Sequence, residues 1–180
     1  MIAKERILIA ALVLVMGQAA AVVAQNPGAE ERKPSKPIRH FVVTSAQSLA
    51  EVEKKIQSAN KVEELVGGEG MEVRVAIQHE KDTTAANAEL HDASDDVYYV
   101  LEGSATLTLG GALDSPREIE PGEWRAPRIV DGQKVEIKKG DLIIVPRGTP
   151  HHRSTAGQDF TMILIKVYDK PLPAPKSATK

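Results

Sequence analysis

A chain of 180 residues is long enough for one domain with appendages. Its residues are 42% hydrophobic but only 3% aromatic, so a core must be built from Val, Ile, Leu and Ala. A formal net charge of -2 argues against a nucleic-acid surface, and the absence of cysteine excludes disulfides, thiolate metal sites and cysteine nucleophiles.

The chain opens with MIAKERILIAALVLVMGQAAAVVAQ. Lys4 and Arg6 form a positive n-region, Ile7 to Met16 is a short apolar run, and Val22-Val23-Ala24 is a small-residue cleavage pattern. Residues 1–24 therefore read as a secretory signal peptide, with a mature N-terminus at Gln25 and a periplasmic or secreted product. The rival reading is an uncleaved anchor, for which the apolar core is short against a span of about 20 residues. Losing a segment of net charge +1 leaves the mature chain at -3. No later segment is apolar enough to span a bilayer.

Residues 25–40 carry three prolines and mixed charge and read as a flexible linker. Ser45 to Gln57 predicts a short helix, with Ser48 and Glu51 as a capping box and Leu49, Val52 and Ile56 on one face. That face packs on the outside of the domain, or alternatively makes a homodimer contact. Met71, Val73, Val75, Ile77 and His79 alternate with polar residues, which predicts a strand with one buried face. His79 on that face reads as a core or rim residue rather than a ligand. Further strands are expected through Ala88 and Leu90, over Tyr98 to Leu101, Ser104 to Leu109, Val135 to Ile137, Leu142 to Val145 and Phe160 to Tyr168. Residues 112–133, rich in Pro and Gly, read as irregular, and 171–180 as a disordered tail. Short strands between tight turns indicate an antiparallel sandwich or barrel over residues 41–170. No repeat suggests a second barrel.

Two stretches carry the chemistry. ELHDASDDVYYVLEG, from Glu89 to Gly103, puts Glu89 and His91 on one face of a strand, and Asp96, Tyr98 and Val100 on one face of the next. If those strands pair, Glu89, His91 and Asp96 converge. GDLIIVPRGTPH, from Gly140 to His151, delivers a second histidine after a turn at Pro146 to Pro150. Asp92, Asp95, Arg147, His152, Lys138 and Lys139 read as surface residues. No G-x-S-x-G elbow or phosphate-binding glycine loop is present.

Together the stretches resemble the paired motifs of the cupin superfamily. In the second motif Gly140, Pro146, Gly148 and His151 fall in place, and Thr155 stands where the family has asparagine. In the first, Glu89 stands at the first histidine, His91 at the second, Asp96 at the glutamate, Gly103 at the closing glycine and Thr83 at the opening one. The resemblance covers about residues 70–168 and implies an all-β, antiparallel jelly-roll barrel of six to eleven strands with a short N-terminal helix. It also implies a divalent metal ion (Mn, Fe(II), Ni or Zn) on Glu89, His91, Asp96 and His151. The usual set of three histidines and one carboxylate is here two and two. His91 and His151 with either carboxylate would also match the facial triad of non-heme iron sites. Tyr98 would line the pocket and Arg153 would hold an anionic substrate at the mouth. The expected protein is a metal-dependent enzyme on a small organic molecule, with dioxygenase-, isomerase-, lyase- or decarboxylase-like chemistry. The alternative is a non-catalytic ligand-binding or dimerising module whose histidines and carboxylates bond one another without metal.

Overall fold

A computed structural model describes residues 34–81 and 87–173. The leader at 1–24, most of the linker, Thr83 and the end of the tail lie outside the described residues. Residues up to His40 and residues from Phe41 onward form separate units. In the first, residues 34–40 are exposed and contain no helix or strand.

The second unit begins with helix α1 (Ala46–Ile56). Its cap lies one turn earlier than the Ser48–Glu51 pattern predicts. Ser45 Oγ accepts from the Ser48 amide at 3.1 Å, while Glu51 is bonded by the Gln47 amide nitrogen at 3.0 Å. Ser45 is extended and so can serve as N-cap, whereas Ser48 is already helical. Ile56 is fully buried, with Leu49 and Val52 partly so, as the predicted face requires.

Thirteen strands follow among the described residues, more than the six to eleven expected. They are β1 (Lys61–Val66), β2 (Val73–Glu80), β3 (Ala88–His91), β4 (Ser94–Glu102), β5 (Ser104–Leu109) and β6 (Ala112–Asp114). Then come β7 (Arg117–Glu120), β8 (Glu123–Ala126), β9 (Arg128–Val130), β10 (Gln133–Lys138), β11 (Leu142–Val145), β12 (His151–Ser154) and β13 (Phe160–Tyr168). The surplus comes chiefly from 112–133, which is β6 to β9 rather than irregular. These strands are three or four residues long and Ala126 is their one buried residue, so they show no buried alternation.

All pairings are antiparallel. One sheet has the order β1-β2-β13-β4-β11, the other β10-β5-β12-β3-β8-β7, and β6 with β9 forms a separate ribbon. Strands β3 and β4 do not pair. They lie in different sheets, so the sequence expectation that Glu89, His91 and Asp96 meet by strand pairing is corrected. They meet across the gap between sheets, because only Asp92 and Ala93 separate the two strands and the chain crosses over there.

The apolar core fills part of that gap with Tyr98, Val100, Leu107, Ile137, Phe160 and Met162. Along β2 Ile77 and His79 are buried as predicted, but the opposite face is covered too, and it is Gln78 and Glu80 of that face that line the cavity. Ala76, Gln78 and Glu80 sit opposite Leu164, Met162 and Phe160, whereas Ile77 and His79 sit opposite Ile163 and Thr161. His79 is buried and bonded through Nδ1 to Thr161 Oγ1 at 2.8 Å, on the side away from the cavity. The barrel holds the chain as far as Leu172, whose backbone bonds Met71 and Gly70 at 2.8 Å each. No helix among the described residues is long and apolar enough to cross a membrane.

The turn before β12 fixes one functional strand against another. Gly148 has φ 75 and its amide donates to the His91 carbonyl at 2.8 Å. A Cβ there would meet open space, so the cost of a side chain is conformational. Gly148→Val should cost about 1–2 kcal/mol or more, since a left-handed conformation is worst for a β-branched residue. Thermal denaturation should show a drop of several degrees; an unchanged midpoint would mean the turn tolerates a side chain.

Candidate metal centre

The four candidate ligands come from three strands. Glu89 and His91 project from β3, and His151 starts β12, directly opposite Glu89 in register. Asp96 faces them from β4, beside Val145 of β11 and Lys166 of β13. His91 and Asp96 are each 3% exposed and His151 5%.

One ligand atom each from Glu89, His91 and His151 lies within 4.8 Å of the other two. His91 Nε2 is 3.6 Å from Glu89 Oε2 and 3.6 Å from Asp96 Oδ2, and His151 Nε2 is 3.8 Å from Asp96 Oδ2. These gaps exceed hydrogen-bond length. They fall within the roughly 3.0–4.2 Å that separates donors held about 2.1 Å from a common cation.

The tautomers decide what the nitrogens can do. His91 Nδ1–H donates to Glu123 Oε2 at 2.7 Å, and His151 Nδ1–H donates to the Thr149 carbonyl at 3.0 Å. In the neutral form of each ring the Nε2 lone pair is then directed into the cluster, and His91 Nε2 is buried without a hydrogen-bond partner. Metal-binding imidazoles are held in this way, with the outer N–H tied to a carboxylate or carbonyl. The donor set therefore fits a divalent cation, with Glu89, His91 and His151 able to hold one.

Glu123 was missed in the sequence because it lies in the stretch read as irregular. It is the cross-strand neighbour of His91, as Arg125 is of Glu89. Arg125 lies 3.4 Å from Glu89 and 3.6 Å from Glu123, so it ties the two carboxylates together. Asp96 has a second engagement. Its Oδ1 accepts from Lys166 Nζ at 2.7 Å and its Oδ2 from the Tyr98 hydroxyl at 3.2 Å. Lys166, also unassigned from sequence, sits inside by simple alternation two residues beyond Leu164.

Tyr98 is buried and lines the cavity. Burial first, and Asp96 second, push its hydroxyl well above its ordinary pKa. Arg153 also lines the cavity and is bound by both nitrogens of one edge to Glu80, Nε at 3.2 Å. Three residues read as surface charge have partners. Arg147 grips Asp95 through its backbone amide and guanidinium, and Asp92 accepts the Trp124 indole N–H at 2.8 Å.

Electrostatics oppose burial here. Burial would lower the pKa of His91, but Asp96 and the Glu123 bond outweigh it and raise it to about 9. Burial would raise that of Asp96, but His91 and Lys166 outweigh it and hold it at about 2. His151, lacking such a bond to a carboxylate, is lowered by burial.

Two facing antiparallel sheets thus bring both motif stretches to one enclosed site. The chain is a cupin in fold. Solved structures similar to this chain include KdgF from Halomonas sp., at 13% identity and TM-score 0.45 over 64% of this chain and 85% of that one. A cupin superfamily protein of Desulfitobacterium hafniense matches at 20% and 0.41, over 62% and 81%. A Bacillus halodurans protein matches at 19% and 0.49, over 77% and 88%. In sequence, 78 residues, or 43% of the chain, are 33% identical to an uncharacterized protein of Methanocaldococcus jannaschii. The chain spans 46% of that curated relative's length. No protein-family model matches.

Proposed function

We propose that this is an exported cupin that holds one divalent cation on Glu89, His91 and His151, beside Asp96, and uses it on a small organic molecule. The observation that carries the reading is the pair of imidazoles whose outer N–H groups are tied down and whose Nε2 lone pairs meet a carboxylate oxygen. Two histidines and one carboxylate leave other positions on a cation open, and favour Mn, Fe(II), Ni or Zn.

A bound cation would supply Lewis-acid or redox chemistry at those open positions. The protein's own residues set the surroundings. Glu123 and the Thr149 carbonyl fix the two rings, and Arg125 holds Glu89 against Glu123. Lys166 neutralises Asp96, leaving Asp96 Oδ2 facing both histidines. The Tyr98 hydroxyl, bonded to that oxygen, stays protonated at neutral pH and can give or take a hydrogen bond at the site. Export rests on the leader alone.

Elemental analysis and titration with Mn, Fe(II), Ni and Zn test the reading. The expected result is close to one cation per chain at pH 8. A wild type that takes up none of the four leaves a polar pocket and a small-ligand-binding module.

A further inference from the structure

Beside the ligand cluster lies a cavity of about 80 Å³ with Gln78, Glu80, Tyr98, Arg153, Met162 and Lys166 in its wall. Its two cations are unusual in their seclusion. The Arg153 and Lys166 side chains are 12% and 13% exposed, where such groups are seldom buried unless paired. Each has one partner, Glu80 for Arg153 and Asp96 for Lys166. Neither is exhausted by it, since a guanidinium carries five N–H donors and an ammonium three. The guanidinium is also held in place, its central carbon 5.4 Å from the Tyr98 ring centre and 5.5 Å from that of Phe160. A donor already fixed in position loses little freedom when a ligand arrives.

We propose that this cavity binds a small carboxylate monoanion, held by Arg153 and Lys166 next to the cation; the inference rests on the metal reading above. Charge balance supports it. Arg153 and Glu80 cancel, as do Lys166 and Asp96, and Arg125 offsets Glu123 on the outer side of the cluster. Glu89 then compensates only half of a divalent cation, so the loaded site is left with one positive charge beside the buried His91, Asp96 and His151. Such a charge is costly there unless compensated. A monoanion supplies the balance; a neutral molecule does not, and a dianion overshoots.

Size narrows the class. At about 80 Å³ the cavity is roughly half the ~150 Å³ of an apolar cavity that takes up one benzene molecule. Acids of about two to three carbons fit that volume, and an aromatic acid does not. Met162 and the Tyr98 ring offer the short alkyl part an apolar wall, while Gln78 adds a polar contact.

The test is calorimetric titration of the full, metal-loaded chain with propionate, propionamide and benzoate, with cation content measured on the same sample. Propionate should bind, and propionamide and benzoate should bind at least tenfold more weakly. Glu80→Gln combined with Arg153→Gln removes the buried pair together and avoids stranding one charge; it should weaken propionate at least tenfold at unchanged cation content. Equal binding of propionamide, or of benzoate, overturns the proposal, as does an unaffected double variant. A chain that holds its cation but ignores propionate refutes this inference alone. A chain that holds no cation refutes the metal reading, and the charge balance falls with it.

Discussion

Alanine at His151 is expected to abolish tight cation binding, while alanine at Glu123 should weaken it about ten- to a hundredfold, the usual effect of losing an outer partner of a ligating histidine. His151 provides one of two nitrogen donors, and nothing near it can replace that lone pair. Glu123 touches no cation in this scheme. Its carboxylate holds the His91 Nδ1–H at 2.7 Å, which fixes the ring and its tautomer. Glu123→Gln separates the two contributions, since the amide oxygen can still accept the N–H but carries no charge. It should recover part of the loss. Asp96 calls for a milder change, because Asp96→Ala would strand the Lys166 ammonium 2.7 Å away and cost about 3–5 kcal/mol of stability. Asp96→Asn is the better probe, and its effect on the cation should be smaller than that of His151→Ala. Titration of the four variants with one metal ranks them. If Glu123→Ala binds as tightly as wild type, the tie to His91 does not orient the ligand.

The strands that frame this site were legible wherever burial is one-sided or complete. Strands β2, β4, β5, β11 and β13 each carry an apolar run or clean alternation, and the glycines in the turns after β4, β10 and β11 take positive φ, at Gly103, Gly140 and Gly148. Glu89 and His91 were legible as a pair from strand alternation, whereas His151 joined them only through the resemblance to paired cupin motifs; the structure brings the three together. What the sequence hid was partnership across sheets. Glu123 lies in a four-residue strand with no apolar rhythm, and only its register against β3 identifies it. Strand β1 was hidden for a related reason. It pairs with β2 alone, and KVEELV is too charged to advertise itself. Lys166 was hidden in plain view, since a lysine at the end of FTMILIKVY reads as the strand leaving the core. In the fold it is the counter-charge that lets Asp96 remain buried and ionised.

Proton competition gives the other large effect. From the sequence, cation binding should fail as histidine protonates near about 6.5. The surroundings of His91 move that point upward. Without a cation between them, Asp96 and Glu123 keep the ring protonated up to about 9, so a cation must expel one proton to bind at neutral pH. Apparent affinity should therefore rise about tenfold per pH unit from 6.5 to 9 and level off above. Calorimetry at pH 7.5 in buffers of different ionisation enthalpy should report close to one proton released per cation, and none at pH 10. Stability of the metal-free chain should run the opposite way. A histidine whose folded pKa is raised contributes fully below its unfolded value and loses that contribution as pH rises through the folded value. The metal-free melting temperature should thus decline between pH 6.5 and 9, while that of the cation-saturated chain should not. If metal-free protein is as stable at pH 9 as at 6.5 and no proton is released on binding at 7.5, then His91 is neutral before the cation arrives. The carboxylates around it would then act on the ring's orientation and not on its charge.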